Sequence, residues 1–235
     1  GIIPNVNQTE LKEFEFLFNK NFSKNHLLVI GINNYRKNYF YNTFSIYDHE
    51  LNLITDYNKV KLVPFGEFLP LEKILGKIGL RSLTNNYQSF SSGKNREILS
   101  INKEYFDLKI LPLICYEIIY SGSIFKNSNF DFIINISEDG WFGNSIGPHQ
   151  HFSHSIFRAI ESGKYLLRSA NNGVSAIINP IGKVENKIEF GQSGNIDFQG
   201  KRVFEETIFS KYGNKMFLVI ILLYIFLIFS FNRNY

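Results

Sequence analysis

The sequence has a single cysteine in 235 residues, so no internal disulfide framework can form. It contains one Trp, one Met and six Pro. No dense Lys/Arg run appears, and the formal charge of +4 is modest, which argues against a nucleic-acid partner. There is no glycine-rich phosphate loop, and no serine lies in a Gly-x-Ser-x-Gly turn. What is abundant is aromatic: 24 Phe and 13 Tyr, enough for a thick core or a lipid-facing rim. The length suits one large domain with an appendage.

The stretch Lys109-Ile-Leu-Pro-Leu-Ile-Cys-Tyr-Glu-Ile-Ile-Tyr120 organises the rest. Leu111, Leu113 and Ile114 predict a buried strand, at whose end sits Cys115, followed by Tyr116 and Glu117. A thiol becomes a nucleophile only when its surroundings favour the thiolate. Taken alone, Cys115 reads as a small core hydrophobe.

Leu11, Phe14, Leu17 and Phe18 predict a helix over about 8–22, opened by a capping box of Asn7 with Glu10. His26–Asn33 and Asn42–Tyr47 read as strands, and Asp48–Asn52 as a turn. Lys59-Val-Lys-Leu-Val-Pro-Phe-Gly-Glu67 reads as a short strand broken by Pro64 and Gly66 that delivers Glu67 at its end. Pro70 opens a helix with the stripe Leu71, Ile74, Leu75 and Ile78, and Ser82–Asn95 is a polar surface loop. Glu97–Ile101 and Tyr105–Cys115 predict paired strands, and Asp131–Ser137 another, ending in Glu138-Asp-Gly-Trp-Phe-Gly143. A long helix with Phe152, Ile156, Ala159, Ile160, Gly163 and Leu167 on one face follows. Gly173–Asn179 and Lys183–Ile188 predict a hairpin, with an irregular strand region running to about Glu205. The pattern is α/β with mixed pairing, which places catalytic groups where strands end.

His149, His151 and His154 invite a metal reading, but their offsets turn by about 200° and 300° on a helix, so they share no face. The set lacks the i, i+4 pair of a helical metal site. Lys59 and Lys61 individually read as solvated lysines, and Glu67 and Glu117 as helix-start acids.

At the C-terminus, Met216–Phe231 is uncharged and free of Gly and Pro. Its sixteen residues would extend about 24 Å as a helix, against roughly 30 Å of hydrocarbon core. Lys211, Lys215 and Arg233 can snorkel, and Tyr212 and Tyr235 can anchor, so a membrane span is expected. Gly1-Ile-Ile-Pro4 has neither an initiator Met nor a signal-peptide start and reads like the middle of a longer protein.

Lys59-x-x-Leu-Val-Pro-Phe-Gly-Glu67, Cys115-Tyr-Glu117, Trp141-Phe-Gly143 and Ser145-Ile-Gly-Pro-His-Gln-His151 together closely resemble apolipoprotein N-acyltransferases. Arg158-Ala-Ile-Glu161, Leu167-Arg168 and Asn171-Asn-Gly-Val-Ser-Ala176 extend the match, which covers about residues 26–190 in the expected order. The resemblance implies an αββα nitrilase sandwich over 1–210 and a membrane helix over 211–235. It implies a Glu–Lys–Cys triad with Cys115 as nucleophile and Lys59 as the oxyanion-stabilising cation, helped by the Tyr116 N–H. Glu67, Tyr116 and Glu117 match further positions on which activity depends; Asp139, Trp141 and Phe142 fall in the supporting loop. The implied reaction takes an acyl chain from a phospholipid as a Cys115 thioester and passes it to a diacylglyceryl-cysteine lipoprotein. No metal or cofactor is implied. The implied place is the bacterial cytoplasmic membrane, with the catalytic domain on the periplasmic side.

Two features depart from the family. Its general base lies in a Trp-Pro-Glu segment that this sequence does not contain, and Glu10, Glu13 and Glu15 do not match it. The expectation is a fragment that lacks its base and N-terminal membrane helices and turns over little alone. Secondly, Glu138-Asp139 stands where Asn-Asp is usual. A nitrilase-type amidase on a soluble amide and a non-catalytic membrane-anchored binding module are the competing readings.

Overall fold

The computed structural model describes residues 2–7, 10–71, 89–122, 124, 129–200, 202, 203 and 205–232. Among the described residues, ten strands form two sheets. The first, in the order β1-β2-β3-β4, comprises Ile2–Asn7, Leu28–Arg36, Tyr39–Tyr47 and Leu53–Asn58. The second, in the order β10-β9-β8-β7-β6-β5, comprises in chain order Leu99–Lys103, Phe106–Ile114, Phe132–Glu138, Tyr165–Asn171, Ser175–Ile178 and Val184–Ile188. β6, β7 and β8 run parallel, and both edges of that block turn antiparallel.

Alternation of side chains along each strand explains how one sequence fills three packing layers. From β6, Ile110 and Ile114 point between the sheets, joining Phe44, Ile46, Tyr57, Leu99, Ile101 and Ile136. Leu111 and Leu113 point the other way, into a cluster with Ile133, Leu166, Ile178 and Ala159. The helix α2 (Gly147–Ser162) covers that outer face. On the far side, Leu28, Ile30, Ile32 and Tyr47 pack with Leu11, and with Phe18 of α1 (Glu15–Asn21). The layers are therefore helix, sheet, sheet, helix, the expected αββα sandwich.

Several local expectations change. Asn7 belongs to β1 and pairs with Asn33, so it does not cap a helix; a 3-10 helix (Glu10–Phe14) precedes α1 instead. Only Leu11 of the expected stripe is fully buried, while Phe14 and Leu17 are exposed. Lys59–Glu67 is not a strand, because its amides are taken by carboxylates: those of Val60 and Lys61 by Glu117, and that of Val63 by Glu67. The strand is β4, immediately before Lys59. The long helix stops at Ser162, because Gly163 caps it in the left-handed conformation (φ 67°), and Leu167 lies in β8. Past β10 the described residues up to Glu205 form no further strand. There Lys164 and Arg202 fasten the chain through bonds to the carbonyls of Val203 and Asp107. The helix expected over Ile74–Ile78 and the loop over 82–88 lie outside the described residues.

The expected membrane span is corrected as well. After α3 (Ile208–Tyr212), α4 (Lys215–Asn232) forms as the apolar run predicts. Its uncharged core, at about 24 Å, falls short of roughly 30 Å of hydrocarbon. Among the described residues, no helix is long and apolar enough to cross a membrane. Phe217 to Phe229 and Phe231 nevertheless stand exposed along its whole surface.

Candidate active site

Cys115 follows β6 directly and opens a 3-10 helix, Cys115–Ile119. Its φ of 49° places a non-glycine residue in the left-handed region, which costs about 1–2 kcal/mol. Such a cost persists only where surrounding contacts impose it. Glu117 is one of them. Fully buried, it accepts the Ile114 N–H at Oε2 (3.0 Å), bracing the turn from within.

The other oxygen of Glu117 reaches across to the first sheet. Oε1 accepts the N–H groups of Val60 (3.0 Å) and Lys61 (3.1 Å), the Tyr57 hydroxyl (2.7 Å) and an Arg96 N–H (3.0 Å). Burial first, and the Glu117 charge next, push the Tyr57 hydroxyl well above the usual tyrosine range, so it remains a donor. Burial would lower Arg96, but the facing Glu117 charge holds it above its ordinary value. Five donors on one carboxylate hold the turn that carries Cys115 against the loop that carries Lys59.

Lys59 stands just past β4, with its backbone N–H on Asn42 O (2.9 Å). Its side chain is 1 % exposed and its Nζ lies 2.7 Å from Glu67 Oε2. Glu67 also accepts from Val63 N (2.8 Å) and Asn42 Nδ2 (2.9 Å). A buried ammonium is thus paired with a carboxylate that is itself held by neutral donors. Gly93 N–H donates to Lys59 O, and a Cβ there would meet Asn58 O at 2.2 Å, so the approach requires glycine.

A second network supports the other flank. Asp139, fully buried, accepts from Ser137 Oγ (2.7 Å), His151 Nδ1 (2.8 Å) and Arg168 (2.7 Å). Burial pushes its carboxyl up, but the His151 bond, the Arg168 charge and the Ser137 bond together hold it below the usual carboxylate range. Arg168 also donates to Asn135 Oδ1 and to Val174 O (3.2 Å). A Cβ on Gly173 would meet Asp139 Oδ2 at 2.2 Å, which explains glycine in the Asn171-Asn-Gly173 turn. Cys115 Sγ points to Glu138 O at 3.9 Å. The departure Glu138 is accommodated: its carboxylate accepts from Gly140 N (2.8 Å) and Asn172 Nδ2 (3.2 Å), closing the loop that carries Trp141 and Phe142. Trp141 is 60 % exposed and Phe142 lies over the His151 ring at 5.4 Å.

Glu117 therefore ties the backbone just before Cys115 to the backbone just after Lys59, whose side chain is paired with Glu67; Tyr116 stacks edge-on against Tyr120 at 5.9 Å. Glu10, Glu13 and Glu15 lie at the helical end that covers the first sheet's outer face. Sequence reasoning missed Tyr57, Arg96, His151 and Arg168 as supports. An arginine amid the apolar residues of Tyr165-Leu-Leu-Arg-Ser169 was a usable signal, because a buried arginine demands a buried partner. Two clefts of about 440 and 260 Å³ are lined by none of Lys59, Glu67, Cys115, Glu117, Asp139 or His151.

The sequence and the fold are each similar to those of known proteins. The model of the carbon-nitrogen hydrolase family matches residues 7–203. Apolipoprotein N-acyltransferase of Bradyrhizobium diazoefficiens is 37% identical over 80% of this chain and 34% of its own length. That of Rickettsia prowazekii is 37% identical over 91% of this chain and 42% of its own. The chain thus spans about a third to two fifths of these relatives. Among solved structures, an amidase from Nesterenkonia sp. AN1 is similar in fold, with a TM-score of 0.53 at 15% identity over 79% of this chain and 68% of that one. With a family match across most of its length and the sandwich that positions Cys115, the chain belongs to the carbon-nitrogen hydrolase family.

Proposed function

We propose that this chain is the catalytic part of an apolipoprotein N-acyltransferase. The observation that carries the reading is Cys115 on a strained turn that Glu117 bonds to the Lys59 loop. The Cys115 thiolate attacks an ester carbonyl of a phospholipid. Lys59 and the Tyr116 N–H stabilise the oxyanion, the C–O bond breaks, and the lysophospholipid leaves as the alcohol. The α-amine of a diacylglyceryl-cysteine then attacks the thioester, the C–S bond breaks and the amide forms, regenerating the thiol. Glu67 keeps Lys59 oriented and charge-compensated. The cysteine proton goes to the Glu of a Trp-Pro-Glu segment, which the resemblance supplies and this sequence does not hold.

A lipid substrate agrees with the exposed apolar surface of α4, far larger than a water-facing helix carries. In this reading residues 1–210 are the catalytic domain and 211–235 the membrane part. α4 meets the bilayer through that exposed apolar surface, with Lys211 and Lys215 reaching the headgroups. The enzyme works at the bacterial cytoplasmic membrane from its periplasmic side, and Trp141 and Phe142 border the acyl path.

The test is acyl transfer by the full-length protein in detergent, with bacterial phospholipid and a diacylglyceryl-cysteine peptide. An N-acylated peptide that Cys115→Ala abolishes supports the reading. Ammonia release from small soluble amides, without peptide acylation, would move the assignment to an amidase. A biological function that survives in Cys115→Ala would move it to a binding module.

A further inference from the structure

His151 is singled out by sequence and then left unused, yet it is 3 % exposed in the site. Its Nδ1 lies 2.8 Å from Asp139 Oδ1, and its Nε2 lies 3.2 Å from the carbonyl oxygen of Cys115. Both partners can only accept, so making both bonds requires an N–H on each ring nitrogen. Arg168 Nη2 donates to Asp139 Oδ2 and also lies 3.1 Å from Nδ1, so the imidazole and the guanidinium meet at one carboxylate. Phe142 shields the ring on one side, at 5.4 Å. On α2 the ring heads a buried polar stripe of His151, Ser155, Arg158 and Ser162.

The carbonyl that His151 holds and the N–H of Tyr116 belong to the same peptide unit. That unit is planar, with C=O and N–H pointing in opposite directions, so fixing one fixes the other. A donor on the carbonyl also polarises the amide and strengthens its N–H as a donor.

We infer that His151 is a positioning residue. Backed by Asp139, it locks and polarises the Cys115–Tyr116 peptide so that the Tyr116 N–H meets the developing oxyanion. This rests on the acyl-transfer reading for the role of that N–H. The peptide geometry itself does not depend on it.

The test uses three variants of the full-length protein. His151→Asn keeps an amide nitrogen near Nδ1, for Asp139, and loses the donor to Cys115. His151→Gln keeps a nitrogen near Nε2, for the Cys115 carbonyl. His151→Ala loses both. Acyl-thioester formation is expected to slow about 10–100-fold in His151→Asn and His151→Ala, with His151→Gln recovering most of the rate. Apparent affinity for phospholipid should be unchanged. Labelling with carbonyl-¹³C cysteine and ¹⁵N tyrosine selects the Tyr116 amide, since Cys115-Tyr116 is the one Cys-Tyr pair in this sequence. Its proton resonance should move upfield in His151→Asn and stay near wild type in His151→Gln. Equal rates in all variants would overturn the inference, as would equal slowing that simply follows lost thermal stability. If the wild type forms no thioester, the acyltransferase reading falls separately. The amide signal then decides alone, and one unmoved in His151→Asn overturns the inference.

Discussion

The ammonium of Lys59 is held 2.7 Å from the carboxylate of Glu67, with the lysine 1 % exposed and the glutamate 12 %. Removing one partner of such a pair strands the other's charge. Glu67→Gln, nearly isosteric, is expected to lower stability by about 3 kcal/mol, or roughly 6–12 °C in Tm. Lys59→Met should slow acyl-thioester formation about 10²–10³-fold, the cost of losing one oxyanion donor. Melting curves and single-turnover acylation check the two effects separately.

Glu117 meets five donors with its two oxygens, and an amide cannot do the same. In Glu117→Gln the NH₂ must face the N–H of Ile114 or the cluster of Val60, Lys61, Tyr57 and Arg96. Loss of about 2–3 kcal/mol is expected. Because the turn and the Lys59 loop then part, turnover should fall about 100-fold even in the fraction that stays folded. Denaturant titration with activity normalised to folded protein gives both numbers.

The backbone at Cys115 suits glycine better than any L-residue. Cys115→Gly and Cys115→Ala should both lack a thioester, but the glycine variant is expected to be about 1 kcal/mol more stable. Urea midpoints of the two variants decide it; an alanine variant equal or superior would show that φ 49° carries no strain.

Asp139 gives the site an acid limit. Its folded pKa lies below the unfolded one, so its contribution is complete above about pH 4 and is lost as pH falls from there through the folded value. Wild type should therefore lose stability on acidification below about pH 4 more steeply than Asp139→Asn, the two curves converging. Thermal melts between pH 7 and pH 3 test this.

Much of the frame was legible because strands buried on both faces leave near-continuous apolar runs, as in Lys109–Ile114 and Asp131–Ser137. The Gly173–Ile188 hairpin was legible from the turn Pro180-Ile-Gly182 between two short runs instead, since β10 is largely exposed. β4 is hidden in the sequence, since Leu53-Ile-Thr-Asp-Tyr-Asn58 alternates weakly beside the more conspicuous Lys59–Glu67 stretch. The error at Leu167 has a similar cause: apolar spacing ran on past Gly163, and only the left-handed cap marks the end. At the site, single residues were readable and their connections were not. That one buried carboxylate, Glu117, serves two sheets is a matter of tertiary distance, as is the reach of His151 from α2 to the Cys115 carbonyl.

If Cys115 carries an acyl chain, the intact mass of the protein reveals it. The full-length protein is isolated from membranes, with and without hydroxylamine, beside Cys115→Ala. The expected result is a fatty-acyl mass increment that hydroxylamine removes and the variant lacks. A wild-type protein with a bare thiol after incubation with phospholipid, or an increment that persists in Cys115→Ala, would contradict it.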